Sequence, residues 1–174
     1  MKKPRIGPTT CCCCLFLSLP YYSCLDASLV CTNSPLRNIT FTGQTTASSG
    51  TVLVSIYGWT KNPLVEYYVQ EYSNSNGAAQ GQKLGSFESD GSTYDIWKHQ
   101  QVNQPSISGT TTFMQYISVR KTPRPASGTV TIANHFAAWK KAGLNLGSHD
   151  YQTLATEGWG NAGGNSKYTI SGTS

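Results

Sequence analysis

Past residue 31 the sequence contains no cysteine. Its six cysteines, Cys11, Cys12, Cys13, Cys14, Cys24 and Cys31, crowd the opening stretch. A disulfide framework needs partners spread across a fold, and four adjacent cysteines cannot supply them. Nor does any Cys pair stand at zinc-site spacing from a second Cys or His pair, so no metal and no cofactor is expected. Charge is scarce as well: Asp, Glu, Lys and Arg make up 12% of the chain, where about 25% is usual. The net +5 comes from 13 Lys and Arg against 8 Asp and Glu. The cations are scattered among Lys2, Lys3 and Arg5, then Arg120, Lys121 and Arg124, then Lys140 and Lys141. A nucleic-acid binder gathers such charge on one stripe or helix. Nucleic acid is therefore excluded as a partner, and the basic pairs read as solvated surface. Long hydrophobic runs are also lacking. The stretch from Cys11 to Leu19 is far too short to span a bilayer, and no membrane partner is expected.

The 174 residues suit one globular domain. Residues 1–37 read as a Cys-rich segment outside it, and residues 38–174 as the domain itself. The segment has two readings. A basic start followed by a short apolar run resembles a signal peptide, although Pro4, Pro8 and Pro20 interrupt it. Alternatively it is unrelated sequence joined to a domain truncated at its N-terminus. Asn38-Ile39-Thr40 is an N-glycosylation pattern and fits a secreted, extracellular protein.

From Thr40 onward the sequence is rich in Gly, Ser, Thr, Asn and Tyr. Such a surface stays wet without strong charge, and its aromatic faces and amides suit sugar rings and hydroxyls. Short strands are expected over Thr51–Tyr57, Pro63–Tyr72, Ser86–Glu88, Thr93–Val102, Thr110–Arg120, Thr129–Ile132, Tyr151–Trp159 and Tyr168–Ile170. Asp90-Gly91 is a hairpin signal, because both residues tolerate the positive φ of a tight turn. One segment has helical spacing, with Asn134 as its cap, Phe136 and Trp139 inward, Lys140 and Lys141 outward, and Gly143 as its stop. Many short strands with a single helix predict an all-β fold, an antiparallel sandwich or jelly roll.

The acids are few enough to search completely: Asp26, Glu66, Glu71, Glu88, Asp90, Asp95, Asp150 and Glu157. Asp90 is used by the turn, and Asp150 precedes a strand and is expected to be exposed. In Leu64–Gln70 alternation puts Glu66, Tyr68 and Gln70 on one face and Val65, Tyr67 and Val69 on the other. Taken alone, Glu66 could be an ordinary solvated strand glutamate. In Tyr151–Trp159 the odd residues Tyr151, Thr153, Ala155, Glu157 and Trp159 share a face. Small neighbours and an indole around Glu157 can exclude water and raise its pKa toward that of a general acid. The histidines His99, His135 and His149 sit in separate elements and read as structural or surface residues.

The stretch Tyr57-Gly58-Trp59-Thr60-Lys61-Asn62-Pro63-Leu64-Val65-Glu66-Tyr67-Tyr68 resembles the nucleophile strand of family 11 xylanases. Ser89 to Asp95, Val102 to Ile107, Phe113 to Arg120, Ala133 to Trp139, Asp150-Tyr151-Gln152 and Glu157-Gly158-Trp159 match the same family in order. The resemblance runs from about Ile39 to the C-terminus. It implies a jelly roll of two stacked antiparallel sheets with one helix, a cleft for the xylan polysaccharide, and retaining endo-hydrolysis of β-1,4-xylosidic bonds by a monomer. Glu66 matches the nucleophile and Glu157 the acid/base, for which the carboxyls should lie roughly 5–5.5 Å apart. Tyr57, Tyr68 and Gln115 match cleft residues, and Trp159 stands beside the acid/base on the same face. Pro105, Ser106 and Ile107 match the thumb loop that lies over the substrate. Gln101 stands where the family carries an arginine in contact with sugar, so a cation near the nucleophile is replaced by an amide. The family's initial strands have no match in residues 1–38. A second expectation is therefore a catalytically defective relative that binds carbohydrate or associates with the cell wall.

Overall fold

The computed structural model describes residues 38–171. The cysteines, Asp26 and the proposed signal segment lie outside the described residues. Among the described residues seven strands and one helix follow in order: β1 (Ile39–Lys61), β2 (Val65–Ser73), β3 (Gln82–Ser89), β4 (Ser92–Ser106), β5 (Gly109–Arg120), β6 (Ser127–Val130), α1 (Ile132–Lys141) and β7 (Ser148–Ser171). The sheet runs β3-β4-β5-β2-β1-β6, with β7 also on β1. It curls into the jelly roll, all β but for one helix.

The two expected layers are continuous with each other through β1 and β7, which pair from Thr40↔Ser171 to Lys61↔Ser148. The start of β1 pairs with β6 and its end with β2. One pairing departs from the antiparallel expectation, because β2 and β5 run parallel. The connecting chain between them carries β3 and β4, as a parallel crossover requires.

β1 is much longer than the expected strand, which was to stop at Gly58. That glycine is not a stop: a Cβ there would collide with the Tyr67 ring and the Tyr151 carbonyl. It is a close-approach position inside a strand. The separately expected strands at Tyr151–Trp159 and Tyr168–Ile170 are likewise one element, β7. It is carried through its bend by positive φ at Gly160, Asn161 and Gly164. The Asp90-Gly91 turn joins β3 to β4 with φ of 47° and 72°.

Alternation sorts the apolar residues into two clusters. Val65, Tyr67 and Val69 of β2 join Phe41, Val54, Ile56, Tyr94 and Trp139 in the main core. Tyr68 faces the other way, into a cluster with Leu53, Tyr57, Trp59, Phe113 and Ile117. The helix closes the main core with Ile132, His135 and Trp139, while Lys140 and Lys141 stay exposed. Its cap is Thr131, not Asn134. Asn134 lies inside the helix and donates its amide to Ser89 Oγ. Gly143, at φ 78°, ends the helix as expected.

The basic trio was expected on the surface, and two of its members are not there. Arg120 is buried, and Arg124 binds the fully buried Glu71 through Nε at 2.6 Å. A buried carboxylate needs a charged or hydrogen-bonding partner, and Tyr94 also donates to it at 2.7 Å. Asp150 lies within β7 and is paired with Lys61.

Candidate active site

Glu66 sits at the centre of β2 with 5% of its surface exposed. Register brings its neighbours: across the antiparallel pair it stands opposite Trp59, and across the parallel pair opposite Gln115. Three donors converge on its carboxylate. Tyr57 Oη donates to Oε1 at 2.8 Å, Tyr68 Oη to the same oxygen at 3.3 Å, and Gln115 Nε2 to Oε2 at 2.6 Å. Burial pushes the Glu66 pKa up, while the bonds from Gln115, Tyr57 and Tyr68 pull against it by favouring the anion.

Behind each donor stands a second group. The Trp59 indole Nε1 donates to Tyr57 Oη at 2.5 Å. An indole only donates, so the Tyr57 proton must point to Glu66. Behind Gln115 stands Gln101, whose Nε2 donates to Gln115 Oε1 at 3.2 Å.

Glu157 lies on β7 opposite Leu53 of β1. It is half-buried, and its pKa is pushed up to about 8, first by loss of water and then by the charge of Glu66. A hydrogen bond with Tyr68 opposes that rise. The Tyr68 hydroxyl therefore serves both carboxyls. A phenol has one proton, so Glu66 and an ionised Glu157 compete for it, and while it is donated to Glu66 it does not oppose the rise at Glu157. The hydrogen bonds favour the anion at Glu66, while burial and that charge favour the protonated form at Glu157.

Glu157, Tyr68, Gln101, Gln115 and Trp159 line an open cavity of about 290 Å³. Its wall is completed by Leu53, Ala78, Gln80 and Ile117, none of which the sequence marks as a site residue. Tyr57, 4% exposed, touches the site through Glu66 rather than through the cavity. Ile107 packs against the aromatic cluster beside the cavity. Pro105 and Ser106 are half-buried at the end of β4 but do not line the cavity. Ser106 Oγ instead donates to the Gly109 carbonyl at 2.6 Å, closing the loop on itself. Trp59 was also missed, although it shares the face of Tyr57 at a spacing of two. Ala78 and Gln80 lie in the β2–β3 connection, where no periodicity marks them.

Among the described residues no group of three or more His, Cys, Asp or Glu side chains could hold a metal ion. No helix among them is long and apolar enough to cross a membrane.

The family model for glycosyl hydrolases family 11 matches residues 31–169. The chain is 57% identical over 125 residues to endo-1,4-beta-xylanase 1 of Hypocrea jecorina, covering 72% of this chain and 54% of that protein. It is 56% identical over 132 residues to ethylene-inducing xylanase 2 of Botryotinia fuckeliana, covering 76% and 59%. The chain thus spans about half the length of the curated relatives it matches. A solved structure described as one of two major endo-1,4-beta-xylanases from Trichoderma reesei superposes with a TM-score of 0.74 at 41% identity, covering 87% of this chain and 95% of that one.

Proposed function

The chain belongs to glycosyl hydrolases family 11, and from that membership we infer that it cleaves internal β-1,4-xylosidic bonds of xylan with retention, outside the cell. Glu66 attacks the anomeric carbon while Glu157 gives its proton to the leaving oxygen. The bond broken is the one between the anomeric carbon and that oxygen; the bond formed is an ester to Glu66. Glu157, now a carboxylate, takes a proton from water, which attacks the anomeric carbon and frees Glu66.

The observation that carries this reading is the convergence of three donors on Glu66, two of which, Tyr68 and Gln115, line the same cavity as Glu157. Three hydrogen bonds support Glu66 as an anion. Loss of water, and then the charge of Glu66, favours the proton on Glu157. Once Glu66 is esterified that charge is gone, and Glu157 becomes the stronger acid that can ionise and act as base. Gln115, Gln101 and Trp159 supply amides and an indole face to the sugar.

The test is reducing-sugar release from xylan by the purified chain beside Glu66→Gln and Glu157→Gln. Release should be abolished in the first variant and fall by about 10²–10⁴-fold in the second. Mass spectrometry after a slow 2-fluoro-xylobioside substrate should place one sugar adduct on Glu66. A folded wild-type chain that releases nothing would leave a carbohydrate-binding relative in place of an enzyme.

A further inference from the structure

Gln115 can serve Glu66 in one orientation only. An amide has a donor end and an acceptor end, and its carbonyl would be repelled by a carboxylate. The NH₂ end faces Glu66 Oε2, so Oε1 is turned away from it. Gln115 is only 8% exposed, and a buried carbonyl needs a donor. That donor is Gln101 Nε2. It arrives from β4, where Gln101 stands opposite Phe113 and His99 opposite Gln115, one diagonal step away.

We propose that Gln101 is a positioning residue for the nucleophile: by donating to Gln115 Oε1 it locks the Gln115 amide with its N–H on Glu66. This goes beyond the sugar contact expected of Gln101, and it rests on the reading of Glu66 as nucleophile.

The relay differs in kind from the one through Tyr57. Trp59 only donates, so that line of protons has one direction whatever the state of Glu66. Two amides in series can both reverse. Only the negative charge at one end and the Gln101 N–H at the other keep them aligned. Removing Gln101 leaves Gln115 Oε1 without its donor, and the amide then has reason to turn toward any remaining one. The titratable groups facing Glu66 are Tyr57 from β1, Tyr68 from β2 and Glu157 from β7. From β5 and β4 it meets the neutral Gln115 and, behind it, Gln101, with His99 on the same face of β4.

The experiment is a double-mutant cycle of Gln101→Met and Gln115→Met, read by kinetics on xylan and by ¹³C-carboxyl NMR titration of Glu66. Gln101→Met should raise KM through the lost sugar contact and, beyond that, lower kcat by about tenfold and move the Glu66 titration and the acid limb of kcat/KM to higher pH. In the Gln115→Met background the same change should do nothing more to kcat or to the titration, because coupled residues are non-additive. Gln101→Lys, a donor without an acceptor, should preserve the Glu66 titration against that upward move. If Gln101→Met does not fold, Gln101→Asn keeps the amide but shortens its reach and tests the same link. A rise in KM with the Glu66 titration unchanged would reduce Gln101 to a sugar contact. Effects that simply add would show that it does not act through Gln115. A wild-type chain inactive on xylan would overturn the proposed function, yet the NMR arm would still decide the relay.

Discussion

Tyr57 is bonded on both sides, accepting from the Trp59 indole and donating to Glu66 Oε1. Tyr57→Phe breaks both bonds while keeping the ring packing. It leaves a buried indole N–H unsatisfied, and unfolding measurements should show a loss of about 1–3 kcal/mol. It also removes one of three bonds favouring the Glu66 anion, so the acid limb of kcat/KM should move up. On the proposed mechanism, activity needs Glu66 ionised and Glu157 protonated. Burial raises Glu66 above the ordinary glutamate range, and Glu157 is pushed up to about 8. The pH profile should therefore be a bell whose rate falls as pH drops through the raised Glu66 value and falls again as pH rises through about 8. Glu157→Gln should erase the alkaline limb and leave the acid one; an unchanged alkaline limb would assign it to another group.

At the scale of the element, α1 is attached by two devices that its own sequence does not announce. The first is Asp90, whose carboxylate accepts from Thr131 N at 2.9 Å and Thr131 Oγ1 at 2.7 Å. One turn residue thus holds a hairpin and a helix start together. The second is His135, fully buried against Phe87, Tyr94 and Trp139, with neither ring nitrogen hydrogen-bonded. Desolvation depresses its pKa to about 3, with Asp90 opposing and Arg120 and Arg124 adding to the fall. In the unfolded chain a histidine binds a proton near pH 6.5. The neutral buried form therefore contributes stability above that value, and the contribution is lost as pH falls toward 3. His135→Leu should flatten the decline of Tm between pH 6.5 and 3. An equally steep decline in the variant would place the acid sensitivity elsewhere.

Across the whole molecule the curled sheet is fastened by a buried charge network at the far side of β2 from the cavity. Glu71 of β2 binds Arg124 of the β5–β6 connection and Tyr94 of β4. Arg120 of β5 binds Tyr94 and the Asp90 carbonyl. Such a network adds little over apolar packing when complete, but breaking it strands a charge. Arg124→Leu leaves Glu71 buried with one partner fewer, and urea unfolding should show a loss of about 3–5 kcal/mol. A loss well under 1 kcal/mol would mean that water or relaxation reaches Glu71. Among the described residues β7 has a single strand partner, β1, along a length of 24 residues.

Period-two alternation was legible without coordinates, because a strand has only two faces. It put Glu66 with Tyr68, Glu157 with Trp159, and Val65, Tyr67 and Val69 in the core. The Asp90-Gly91 turn was legible for a similarly local reason, the cost of positive φ for most residues. The family motifs extended this to both glutamates and to Gln115. Strand length was not legible where Gly58 looked like a stop, since only the Tyr67 ring shows why a side chain is excluded there. Nor was the fate of Arg120 and Arg124, because a cation is surface or core according to whether buried acceptors await it. The same holds for the two relays on Glu66. Gln115 is 49 residues from Glu66 in sequence, and Gln101 lies 14 residues before Gln115. Only the parallel pairing of β2 with β5 and the register of β4 bring them into line, and such long-range register is a property of the folded sheet rather than of any one segment.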